Sequence, residues 1–247
     1  MHTKVYPYLK ENNHVKRLAK LSGLERCAII RRENRFVVTV KNDCKIKQAL
    51  LRNTGRLHDL IQNGYTALCR DRDVGKTDCE LIGVLIDDER AALIDTYTQA
   101  RMFELAASNR LIPWLAGWSI DGKEVTVNGS RLDYKIASDN QEGYLELKSA
   151  AYCDGYYAMY PDCPSERGLR HVNALKQLKL DGYRSVIAFV AAHPNAKAFK
   201  PNAEGDKELA TKIGSAYRSG VEVRAVKIFL DAYGNVFLVN PDLPVDL

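Results

Sequence analysis

From Arg26 to about Leu85, apolar residues come in short runs, "CAIIRR", "RFVVTVK", "YTALCRD" and "CELIGVLI", separated by "EN", "ND", "QNG" and "DVGKTD". Short β-prone runs bounded by turn residues predict a small antiparallel barrel. Between them, "IKQALLRNTGRLHDLIQNG" predicts a strand, a glycine turn and a short helix ending at Gly64. After "DDER" the period changes. "ALIDTYTQARMFELAASNRL" repeats apolar residues at helical spacing and stops before Pro113, which places a domain boundary near residue 87. A strand at 124–127, a hairpin over 131–150, a helix at 166–181, the strand "RSVIAFVAA" and a helix at 206–219 follow. "EVRAVKIFLDAYGNVFLV" reads as two strands around "AYGN", and this alternation predicts a sheet flanked by helices.

Charge changes the picture at one end. Residues 1–35 hold nine Lys or Arg against three acids, an excess that accounts for the whole net charge of +5. This basic arm, assigned to residues 1–24, suits a polyanionic partner, with a merely solvated segment as the alternative. The six cysteines are scattered without zinc-finger spacing and read as buried free thiols. The N-terminus is too polar for a secretory signal and no apolar run reaches membrane-spanning length, so the expected location is cytoplasmic, with no membrane partner. "VGKT" at 74–77 is no phosphate-binding loop, since position 70 is Arg where that loop requires Gly. The tyrosine-rich "AYCDGYYAMY" reads as sheet packing rather than a stacking surface.

The hairpin carries the chemistry. With Asp139 and Asn140 at the centre of a tight turn, the register that pairs residue 138 with 141 also pairs Asp133 with Glu146. Directly opposed carboxylates repel unless compensated. Mg²⁺ or Mn²⁺ would compensate them, because hard cations take carboxylate oxygens. Lys148 projects on the same face as Glu146 and can orient a water or offset phosphate charge. A surface salt bridge is the plain alternative, but Tyr144, Leu145 and Leu147 surround these charges with a partly buried context.

At this point the chain resembles the sugar fermentation stimulation protein A (SfsA) family, from about Arg26 to Leu247. The resemblance rests on "RRENRFVVTV", "RNTGRLHDLI", "SRLDYKI" with "YLELKSA", "YPDCPSERGLRHVNAL", "NAKAFKPNAEGD" and the terminal "PVDL". It implies an N-terminal OB-fold barrel over 25–86, a nucleic-acid-binding module. A PD-(D/E)xK nuclease-like domain, a mixed sheet flanked by helices, is implied over 87–247. Asp133, Glu146 and Lys148 match the nuclease motif, and Glu104 matches the acid on its first helix. The sequence departs from the family at Leu145, Leu147 and Ser149, and in the basic arm that precedes the barrel.

Further candidates surround this core. Arg167, Arg170 and His171 in "PSERGLRH" would face a phosphate backbone or else serve as helix caps and internal ion pairs. Asn53 and Arg56 lie in a polar turn that would reach a phosphate or be purely structural. Arg31, Arg32 and Arg35 beside Phe36 mix basic and aromatic groups as single-strand grooves do. The expected activity is a Mg²⁺- or Mn²⁺-dependent nuclease, with nucleic acid, DNA ahead of RNA, held by the barrel. The alternative is a non-catalytic DNA-binding regulator of sugar metabolism with a vestigial site.

Overall fold

The computed structural model describes residues 15–43 and 45–247. The rest of the expected arm and Cys44 lie outside the described residues. Five strands form a closed barrel: β2 (Leu24–Arg32), β3 (Val37–Asn42), β4 (Lys45–Leu50), β5 (Thr66–Asp71) and β6 (Cys79–Leu85). They run in the order β4-β3-β2-β5-β6, and β4 pairs with β6 through Ala49–Cys79 and Leu50–Glu80 to close the ring. The closure leaves the barrel without a free edge. Alternation fills its inside with Cys27, Ile29, Val38, Val40, Cys69 and Leu81.

The predicted helix before Gly64 does not form. Leu57 adopts φ 49°, outside the helical region, and a turn follows in which the Leu60 and Ile61 amides both donate to the Leu57 carbonyl. Leu57 and Leu60 are buried and pin this loop to the core.

The hairpin of β6 and β7 (Arg90–Leu93) carries the chain across residue 87 into a mixed sheet. Its strands are β8 (Ser119–Val127), β9 (Ser130–Ala137), β10 (Glu142–Ala150), β13 (Arg184–Ala191), β15 (Glu222–Asp231) and β16 (Asn235–Asn240). β10, β13 and β15 are parallel to one another, while β8, β9 and β16 run antiparallel to their neighbours. A smaller sheet joins β11 (Tyr152–Cys153), β12 (Tyr157–Tyr160) and β14 (Ala198–Pro201). Part of the expected arm is a strand: β1 (Lys16–Lys20) pairs with β16, so the first and last strands of the described residues lie side by side.

Three α-helices occur among the described residues: α1 (Thr96–Ser108), α2 (Glu166–Leu180) and α3 (Lys207–Arg218). Each begins on a side-chain cap, Asp95, Ser165 and Asp206 respectively. α1 packs with Leu145 and Val190 on one face of the sheet, and α2 and α3 pack with Ile187, Phe189 and Ala225 on the other. Of the cysteines, Cys27, Cys69 and Cys79 are buried as expected, whereas Cys153 and Cys163 are only half-buried. No helix among the described residues is long and apolar enough to cross a membrane.

Candidate active site

The β9–β10 turn closes through the Ser138 amide to the Gln141 carbonyl at 2.9 Å, and the register runs from Ala137–Glu142 to Tyr134–Leu145, as the turn residues predict. The main-chain ladder ends there. In its place the Asp133 amide donates to Glu146 Oε2 at 3.2 Å and the Leu147 amide donates to Asp133 Oδ2 at 2.8 Å. Each carboxylate thus replaces a carbonyl of the partner strand, and the repulsion between them is met partly by amide dipoles.

Glu146 is 1% exposed. Its Oε1 accepts from Lys148 Nζ at 2.5 Å and from His171 Nδ1. Arg167 Nε donates to His171 Nε2 at 3.4 Å, which assigns the ring proton to Nδ1. Burial pushes the Glu146 carboxyl upward, but the His171 hydrogen bond and the Lys148 charge outweigh it and hold it below the usual carboxylate range. Burial likewise works against the Lys148 ammonium and is outweighed by the charge of Glu146, so its pKa rises. Among the described residues Asp133 has no such cation in contact. Burial, then the charge of Glu146, pushes it up to about 6.

Glu104 projects from α1 on the far side of Asp133. Lys123 Nζ donates to it at 2.7 Å and the Tyr134 hydroxyl at 3.1 Å. The barrel supplies the opposite wall. Asn53 Nδ2 donates to Ser149 Oγ at 3.1 Å, and Gln99 Nε2 on α1 donates to the same hydroxyl at 2.9 Å. Asp162 accepts from the Leu57 amide at 2.9 Å and fills the space beside Gly55, where a Cβ would lie 2.5 Å from its oxygen. A side chain at that point would have to displace the Asp162 carboxylate from the Leu57 amide. Arg52 binds Asp95 at 2.9 Å and Glu80 at 2.5 Å. These groups enclose a cavity of 310 Å³ lined by Asn53, Asp133, Glu146, Lys148, Asp162 and Arg167. Ser165 and Gly168 also line it, so the N-terminus of α2 opens into the cavity.

The structure brings Asp133, Glu146, Lys148, His171, Arg167 and Asn53 together. Arg170 points to solvent beside Glu166. Arg31 pairs with Glu33 at 2.7 Å on the barrel surface, and Arg35 lies over the Phe36 ring at 5.3 Å. Arg32 bonds the Gly55 carbonyl at 2.7 Å and the Arg56 carbonyl, bracing the loop that walls the cavity, while the Arg56 side chain is exposed. Arg52, Gln99 and Asp162 carry no signal in the sequence, and Ser149 stands out there as a departure from the family. Only the small residues Gly55 and Ser149 hint at close packing around the motif.

A closed five-stranded barrel, joined by its own loop to a carboxylate and lysine centre on a mixed sheet, defines the class. Residues 30–94 match the SfsA N-terminal OB domain, and residues 97–234 match the sugar fermentation stimulation protein RE domain. The chain belongs to the sugar fermentation stimulation protein family. It is 40% identical to the homologue from Pyrococcus furiosus, covering 89% of this chain and 95% of that one. To the Archaeoglobus fulgidus homologue it is 42% identical, covering 93% and 99%. The solved structure of Pyrococcus furiosus SfsA in complex with Ca²⁺ superposes with a TM-score of 0.90 at 39% identity, covering 94% of this chain and all of that one.

Proposed function

We propose that this chain is a divalent-metal-dependent nuclease that hydrolyses phosphodiester bonds. The observation that carries the reading is the buried Glu146–Lys148–His171 group beside Asp133, at the wall of a polar cavity that a barrel loop helps to form. The OB domain supports a nucleic-acid partner. DNA stands ahead of RNA in this reading.

The donor set fits a hard cation. Asp133 and Glu146 offer carboxylate oxygens with unused acceptor capacity, and burial beside Glu146 leaves Asp133 short of positive charge. Among the described residues no group of three or more His, Cys, Asp or Glu gathers in metal-binding geometry, so the pair suits Mg²⁺ or Mn²⁺, which keeps several waters, rather than a closed cage. The Ca²⁺ complex of the Pyrococcus furiosus relative supports the same choice. When bound, the cation supplies electrophilic stabilisation of the phosphoryl group.

The remaining steps belong to the chain's own groups. Lys148 orients the attacking water and offsets charge on the phosphate. His171, backed by Arg167, fixes the rotamer of Glu146 and is a positioning residue. Arg167 and the α2 N-terminus favour an anion entering the cavity. Glu104 acts on water next to Asp133 only if it exchanges its bond to Lys123.

One observation favours the competing reading, a DNA-binding regulator of sugar metabolism: the charge of Glu146 is already met by Lys148 in contact with it, without a metal. A labelled panel of single- and double-stranded DNA and RNA, incubated with Mg²⁺, Mn²⁺ or EDTA, separates the two. Metal-dependent cleavage of any member supports the nuclease. Tight binding with no cleavage in any metal establishes the regulator.

A further inference from the structure

Next to the carboxylate centre lies a second cleft, of 440 Å³, that the hydrolytic reading does not use. It runs between α1 and the β8–β9 hairpin, and Tyr97, Ala100, Arg101 and Glu104 line one side while Lys123 and Tyr134 line the other. Asp133 lines both this cleft and the cavity of Glu146 and Lys148, so the two spaces meet at that carboxylate. The four α1 positions follow the i, i+3, i+4, i+7 spacing of one helix stripe. Such a stripe normally packs against a neighbour. Here it carries a tyrosine that is 55% exposed.

That ring is held in place. The Arg52 guanidinium lies 5.5 Å from its centroid and Arg101 lies 5.9 Å from it. Arg52 is itself fixed by Asp95 and Glu80. Among the described residues the Tyr97 hydroxyl makes no hydrogen bond and Arg101 makes no ion pair. Ala100, the smallest side chain in the stripe, leaves room beside the ring. An exposed tyrosine ring flanked by cations, one of them a guanidinium one helical turn away, with a phosphodiester site at the end of the same cleft, matches the chemistry of a base stacked on an aromatic with its phosphate on an arginine.

We propose that Tyr97 is a stacking platform for an unpaired base of the strand whose phosphate enters the Asp133–Glu146–Lys148 cavity, with Arg101 as the adjoining phosphate contact. The inference rests on the nucleic-acid reading of that cavity and narrows its substrate to a single strand or a locally opened duplex. Bases within an intact helix have no free face for the ring, whereas a splayed base does.

The test measures affinity of the full chain in EDTA, so that binding is read without cleavage. The probes are a fluorescent single-stranded oligonucleotide, a series of the same strand with one base removed at each position in turn, and the matching duplex. Wild type should prefer the single strand. Y97A should weaken that binding about tenfold and Y97F by less than about twofold, with duplex binding unchanged by either. At one position, base removal should weaken wild type by about the same tenfold and leave Y97A unaffected. Y97W should show emission quenched by the intact strand and not by the strand lacking that base. R101Q should weaken intact and base-less strands alike, by a smaller factor.

Wild-type affinity in Y97A, an equal loss on every probe including the duplex, or no base position that loses its effect in Y97A would each overturn the stack. In those cases the nuclease reading stands if the metal-dependent cleavage panel is positive. If wild type binds no nucleic acid at all, the reading beneath it falls first.

Discussion

Two lysines on one face of the same sheet, one buried and one largely withdrawn from solvent, behave in opposite ways. Lys148 and Lys227 share that face through the lateral pairing of Ala150 with Ala191 and of Ala191 with Lys227. Lys148 contacts a carboxylate, and its pKa is raised despite burial. Lys227, 8% exposed, has Lys197 and Arg90 nearby and no carboxylate partner among the described residues. Burial, then those charges, pulls it down to about 8. His193 beside it is pulled to about 4 by burial and by the charges of Lys227 and Arg90. Burial alone therefore does not mark a chemical centre. A counter-charge in contact, opening on a polar cavity, distinguishes the group around Glu146 from a cluster of cations that merely costs stability.

The largest effect expected is on chemistry. E146Q and K148A should each lower metal-dependent cleavage on the order of a hundredfold or more, while nucleic-acid affinity changes by no more than a few-fold. Parallel rate and binding measurements check this, and unchanged cleavage in both variants would place the active site elsewhere. Next comes stability. E146A strips Lys148 and His171 of their shared acceptor and should cost about 3 kcal/mol in urea unfolding. Adding K148M to E146A should recover part of that loss.

At Lys227 the sign reverses. K227M should stabilise the fold by on the order of 2 kcal/mol at neutral pH, because it removes an ammonium that burial disfavours. In wild type the unfolded chain keeps that proton up to its ordinary value of about 10.5 while the folded chain releases it near 8. Wild-type stability from this group therefore climbs with pH across that window, and the advantage of K227M shrinks over the same range. His193 works in the same direction lower down. Between its ordinary value near 6.5 and about 4, acid favours the unfolded chain, and H193Q should flatten that stretch of a stability–pH curve by about 1 kcal/mol. The smallest effect belongs to R170Q, whose exposed parent has, among the described residues, a single ion pair, with Glu166 at 4.0 Å. It should change stability by less than about 0.5 kcal/mol and leave cleavage unaltered.

Where a residue pattern was strong the fold was legible. α2 and α3 keep helical spacing between capping residues, and the Asp139–Asn140 turn fixed the β9–β10 register on which the carboxylate pair depends. β7 was missed because its four residues run without a break into the apolar spacing of α1, and only pairing with β6 and β15 makes them a strand. β1 was missed because Lys16, Arg17 and Lys20 read as solvated charge, while the bonds that order it come from β16. At the site, the order of residue types placed Asp133, Glu146 and Lys148 together, whereas His171, expected to face a phosphate backbone or to serve as a cap or internal ion pair, is buried against Glu146. The sequence carried no sign that the two carboxylates would complete the strand ladder. Nor did it show that a barrel loop would meet Ser149 and Asp162, since those contacts join residues about a hundred positions apart.

The continuity of β6, β7 and β15 has a consequence for dissecting this chain. A cut near residue 87 would divide the β6–β7 hairpin and strip β7 from β6, leaving hydrogen-bonding edges bare where paired strands had been. Exposed apolar edges recruit other chains, so the halves should precipitate before they reveal what each contributes. The meeting of β1 with β16 offers the gentler route. A linker from the end of the chain back to β1, with the chain reopened at the exposed turn around Val74–Lys76, would rearrange the order of the sequence while sparing every strand pair among the described residues.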